Sequence, residues 1–193
     1  MSKEISGLSF YKRKKKISYK NVHDVISWIL SIFAVVFIGV AIVMLFGMKT
    51  YMVGISMSPS IESDQTILID RFSYVLSRPK AGDVIIFLPN GNTNSHYYTK
   101  RIVAVPGDKV LIENGKLYVN GEQSQIVDKY ISYPGIAETE LTLESDEYFV
   151  MGDIPSDSED SRSTGVGPVS RNDIVGRVWF KLRSAEGDMG FVK

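Results

Sequence analysis

The chain has 193 residues, no net charge, 44% hydrophobic residues and no cysteine. Its length fits one domain plus an appendage, and the charge balance excludes a wholly basic nucleic-acid binder or an acidic disordered chain. Without Cys, and with histidine only at His23 and His96, disulfides, a thiol nucleophile and a multi-histidine metal centre are excluded.

The charges are unevenly placed. Residues 1–24 carry seven basic and two acidic side chains, including the run Lys12-Arg13-Lys14-Lys15-Lys16. No charge follows until Lys49, and residues 49–193 are net acidic. Val25–Phe46 is an unbroken apolar stretch containing fifteen Leu, Ile, Val or Phe residues. As a helix it would be roughly 33 Å long, enough for a hydrocarbon core of about 30 Å. Its summed insertion preference is on the order of −7 kcal/mol. A cleavable signal peptide has a shorter apolar core and ends in small residues, whereas this stretch ends Phe46-Gly47-Met48-Lys49. The expectation is a basic cytoplasmic segment at 1–24 and a membrane-spanning helix at 25–47 in contact with lipid. The positive-inside rule then places residues 48–193 outside the cytoplasm at the plasma membrane.

Beyond residue 50 the pattern becomes strand-like. Short β-branched runs occur at 66–69, 83–87, 101–105, 147–151 and 174–180. Lys109–Glu113 and Lys116–Val119 flank Asn114-Gly115, a strong hairpin signal. The expected class is mainly β: one N-terminal transmembrane helix, then an all-β domain whose least regular stretch is 122–146.

Three segments carry groups capable of chemistry. Gly54-Ile55-Ser56-Met57-Ser58-Pro59-Ser60 reads either as a polar surface turn or as a nucleophile loop close after the span. Tyr97–Val105 is a strand on which Lys100 shares a face with Tyr98, Ile102 and Ala104, opposite Arg101. A Lys in apolar company is held below its usual pKa of about 10.4 and can serve as a general base. Alternatively it snorkels to water, or the two charges flank an edge strand. Gly152–Arg162 mixes acids, hydroxyls and an Arg. As a calcium loop it lacks the central Gly and closing Glu. Ser77-Arg78-Pro79-Lys80 matches a Ser-x-x-Lys pattern but has no partner motifs. A triad of Ser56, His96 and an Asp has no supporting motif.

Together these segments resemble the boxes of bacterial type I signal peptidases. Ser56-Met57-Ser58-Pro59-Ser60 is similar to the nucleophile box, and Gly82-Asp83-Val84-Ile85 to the next. Tyr98 through Asp108 resembles the lysine box, and Gly152-Asp153 through Arg162 the last. The resemblance spans residues 25 to about 180 and implies a membrane-anchored serine endopeptidase that removes signal peptides from secreted preproteins. It implies Ser56 as nucleophile and Lys100 as general base, with Ser158 holding the lysine amine. Asp160 and Arg162 would brace the loop, and Met57 and Tyr98 would flank small-residue substrate pockets. No metal, cofactor or nucleic acid is implied. Gly54 stands where some members carry a second oxyanion-hole serine, and Ile154-Pro155 replaces a frequent Asn-Arg. Two rivals are a self-cleaving Ser-Lys protease of the SOS-repressor type, which has no membrane span, and an inactive anchored β-domain that binds signal peptides or a partner.

Overall fold

A computed structural model describes residues 19–157, 159–185 and 187–192. Most of the basic segment, residues 1–18, and Ser158 therefore lie outside the described residues. The chain divides into two compact units, at 1–43 and 44–193.

The described part of the first unit is helical. Helix α1 runs Tyr19–Phe46, and its stretch Val22–Val43 has a mean hydropathy of 2.7 with none of it buried. A helix apolar on every side, with no protein covering it, meets the length and composition needed to cross a bilayer. It ends one residue before the expected boundary, because Gly47 opens a strand.

Among the described residues the second unit contains twelve strands. They are β1 (Gly47–Tyr51), β2 (Thr66–Asp70), β3 (Val84–Phe87), β4 (Tyr98–Ala104), β5 (Lys109–Glu113), β6 (Lys116–Val119), β7 (Glu122–Gln123), β8 (Leu141–Thr142), β9 (Glu147–Met151), β10 (Val169–Ser170), β11 (Ile174–Lys181) and β12 (Gly190–Phe191). One short helix, α2 (Ser73–Leu76), follows β2. The larger sheet runs β1-β2-β11-β3-β4-β9-β10, with β12 on β11, and the smaller runs β7-β6-β5-β8. Every pairing is antiparallel. The mainly β class is therefore observed, with the second unit built on two sheets.

Local sequence explains these elements. Asn114 and Gly115 both take positive φ, at 52° and 74°, as a tight two-residue hairpin turn requires. Strand β3 is apolar at all four positions because both of its faces are covered. Ile85 and Phe87 pack with Tyr74, Ile102, Tyr148 and Val150, while Val84 and Ile86 pack with Met52, Met57, Ile61 and Ile69 on the other side. A third cluster joins the sheets, setting Val103, Ala104, Phe149 and Met151 against Val110, Ile112 and Leu117.

The residues after the apolar stretch are paired into the larger sheet. The first of them form β1 on β2, and Met52 exchanges backbone hydrogen bonds with Asp64 and Gln65 at 2.9 Å. The face shared by Lys100 ends early. The β4–β9 register shifts between Ile102 and Ala104, and this bulge turns Val103 and Ala104 both toward the inter-sheet cluster. Tyr98 and Ile102 keep the expected side, and Ala104 does not.

Candidate active site

Ser56 sits in a turn pinned by its apolar neighbours. Met52, Met57 and Ile61 are buried in the β2–β3 cluster, and within the turn Ser58 N–H donates to Ile55 O at 3.0 Å and Ile61 N–H to Met57 O at 2.9 Å. This fixes the backbone on either side of the serine, which remains 9% exposed.

Lys100 comes from β4, which lies between β3 and β9. It is therefore on a central strand, and the edge-strand alternative fails. Its cross-strand partner is Ile85, and it is 6% exposed, so snorkelling to water is ruled out as well. Lys100 Nζ donates to Ser56 Oγ at 2.8 Å. Two residues 44 apart in sequence thus meet in a buried contact.

The last segment supplies the frame. Asp160 and Arg162, both buried, form a two-pronged pair: Nε to Oδ1 at 2.8 Å and Nη2 to Oδ2 at 2.9 Å. Asp160 Oδ2 also accepts from Gly152 N–H at 3.2 Å. Arg162 donates to Tyr133 O at 3.1 Å and Pro155 O at 2.7 Å. The pair therefore ties together both ends of the loop after β9. That loop reaches the serine directly, because Ile154 N–H donates to Ser56 O at 3.0 Å. The Ile154-Pro155 departure from the family pattern thus keeps a backbone role on each residue. Gly135 fits against this frame, and a Cβ there would lie 2.0 Å from Arg162 O.

A second brace went unassigned in the sequence. Arg101, on the opposite face of β4 from Lys100, grips Asp153 with Nε and Nη2, each at 2.8 Å. It also donates to Ser60 Oγ at 3.0 Å and Gly82 O at 2.9 Å. Lys129 Nζ donates to Asp153 O at 2.9 Å. One guanidinium therefore links the serine turn, the β3 approach and the β9 loop. The signal was visible as an Arg beside the candidate base, but alternation alone could not name its partners.

The two expected substrate contacts separate. Tyr98 is half-buried at the start of β4, and its hydroxyl donates to Glu159 Oε2 at 3.1 Å. Burial, together with the Glu159 hydrogen bond and charge, pushes this phenol above its ordinary value. Met57, by contrast, is fully buried. It packs in the cluster beneath the turn. His96 is exposed in the loop before β4.

This geometry can support acyl transfer by a hydroxyl and an amine. Comparisons with known proteins give the family. The family model described as "Signal peptidase, peptidase S26" matches residues 25–182. Signal peptidase I P of Bacillus subtilis subsp. natto is 31% identical over 86% of this chain and 91% of its own. Signal peptidase IB of Staphylococcus aureus (strain COL) is 30% identical over 82% and 90%. A crystal structure of a signal peptidase I from Enterococcus faecalis shares 28% identity, covers 53% of this chain and 97% of its own, and has a TM-score of 0.42. With most of its length matched by the family model and by these full-length relatives, the chain belongs to the signal peptidase family, peptidase S26.

Proposed function

We propose that this protein is a membrane-anchored serine endopeptidase that removes signal peptides, with Ser56 as nucleophile and Lys100 as general base. The observation that carries the reading is the buried 2.8 Å contact between Lys100 Nζ and Ser56 Oγ. Burial penalises the ammonium form of the lysine. Once neutral, the amine presents its lone pair to the serine hydroxyl and takes its proton as Oγ attacks the scissile carbonyl. The amine then returns that proton to the departing nitrogen, and water repeats the cycle on the acyl-enzyme. The Ser56 backbone N–H helps hold the oxyanion, while Gly54 offers no side-chain donor. Ser158 supports the amine, and the Asp160–Arg162 pair holds the loop that carries Ser158.

The substrate is extended and lies beside Tyr98. Small residues precede its scissile bond, as at the end of a secretory signal peptide. Helix α1 anchors the enzyme where such peptides emerge, with the basic segment in the cytoplasm and residues 48–193 outside. An inactive binding domain would have no need of a serine and a lysine buried against each other.

Incubation of the purified full chain with a preprotein should release a mature product whose new N-terminus follows a small-x-small sequence. Binding without cleavage would favour the inactive domain. Topology has its own test. Protease added outside spheroplasts should digest residues 49–193 and spare a tag placed before Val25. External access to the tag, with the outer unit protected, would reverse the orientation.

A further inference from the structure

We propose that the cavity beside α2 binds a phosphate group, that of an anionic phospholipid headgroup, through Tyr148, Arg78 and Arg171. The cavity has a volume of about 340 Å³, within the size range of small-molecule sites. It lies outside the Ser56 region and has no part in the chemistry derived above.

Tyr148 is the first observation. It is 2% exposed, on β9, and it lines the cavity. Its hydroxyl makes no hydrogen bond to any of the described residues and is not among the buried atoms left without a partner. A solvent-accessible hydroxyl on the cavity wall is available to donate to an acceptor that enters it.

The second observation is charge. Arg78 and Arg171 line the same cavity. Arg171 is held in place, stacked over the Tyr74 ring at 5.5 Å and donating to Tyr74 O. Burial and the Asp146 charge push the Tyr148 phenol up, while the Arg171 and Arg78 charges pull it down. Asp146 is the one acid on the lining, and its carboxylate accepts from Ser170 Oγ at 3.0 Å. Two forked cations and a hydroxyl suit a tetrahedral oxyanion. A neighbouring cavity of about 430 Å³ shares Tyr74, Val75 and Arg171 and adds Arg71.

The third observation chooses between sources of phosphate. Val75 and Leu76, on the rim, are 75% and 76% exposed. Bare apolar side chains beside arginines fit a ligand with an anionic head and hydrocarbon tails, as at a membrane interface. The choice of lipid over free phosphate rests on the membrane-anchor reading above.

The test titrates the full chain, in zwitterionic detergent micelles, with dihexanoyl phosphatidylglycerol and separately with inorganic phosphate. Calorimetry should show saturable lipid binding and at least tenfold weaker binding of inorganic phosphate. Tyr148→Phe and Arg78→Gln should each weaken lipid binding several-fold and leave preprotein cleavage in those micelles unchanged. A thermal melt confirms that both variants are folded. Equal affinity for inorganic phosphate would overturn the lipid assignment. Absence of saturation with both probes, or wild-type affinity in both folded variants, would overturn the site. A reversed topology in the protease test would leave these titrations unchanged, so failure of the anchor reading and failure of the phosphate site are told apart.

Discussion

Ser56→Ala and Lys100→Ala should each reduce preprotein cleavage by about 10³-fold or more, the scale seen when one member of a nucleophile–base unit is lost. Without Oγ no acyl-enzyme forms. Without the amine, the hydroxyl keeps its proton at the moment of attack. Because the two act as one unit, the double variant should be little worse than either single one. Both substitutions shorten a side chain without leaving a charge behind, so the folded domain should persist. Near wild-type turnover in either folded variant would sink the dyad assignment.

The second large effect lies in the frame. Asp160→Ala leaves the Arg162 guanidinium buried without its carboxylate, and Arg162→Ala strands the carboxylate. Breaking a buried pair from one side costs about 3–5 kcal/mol, a large share of a total stability of about 5–15 kcal/mol. For a domain of this size that is a fall in Tm of roughly 6–20 °C. Activity should fall with it, because Asp160 holds Gly152 N–H and Ile154 N–H bonds the serine carbonyl. Asp160→Asn keeps one acceptor and should lie between wild type and Asp160→Ala. Thermal unfolding combined with cleavage assays at 20 °C below each Tm would separate the two losses. A single-alanine variant that melts within about 2 °C of wild type would show that the pair is not the brace described.

Much of this was legible in the chain. The apolar stretch has the length and evenness of a spanning helix, and helix α1 covers it, beginning six residues earlier at Tyr19 and ending with it at Phe46. The central strands were visible as β-branched runs, and the Asn114-Gly115 turn from its demand for positive φ. Strands β7, β8, β10 and β12 were not, because each has only two residues and forms through its partner's hydrogen bonds rather than its own propensity. The β4 bulge was equally hidden. It depends on what β9 offers opposite Ala104, and strict alternation therefore misplaced that residue.

The site divides in the same way. The resemblance to the family's boxes pointed to Ser56, Lys100, Asp160 and Arg162, where residue types alone left a surface turn and a snorkelling lysine open. Distances between segments remote in sequence could not be read, so Arg101 appeared only as the lysine's neighbour and not as the clamp on Asp153, Ser60 and Gly82. Met57 packs into the core beneath the serine turn, a placement that the sequence alone did not give.

The proposed base is a buried lysine and not a histidine. The direct measurement is kcat/KM for preprotein cleavage across about pH 6 to 10 in wild type, Lys100→Ala and His96→Gln, since this ratio reports ionisations of the free enzyme. A base works only unprotonated, so the wild-type rate should rise with pH as the lysine loses its proton. His96 is exposed in the loop before β4, and His96→Gln should keep both the limb and the rate. Lys100→Ala should be inactive at every pH. A rising limb that survives in Lys100→Ala and vanishes in His96→Gln would contradict the Ser-Lys mechanism and make His96 the base.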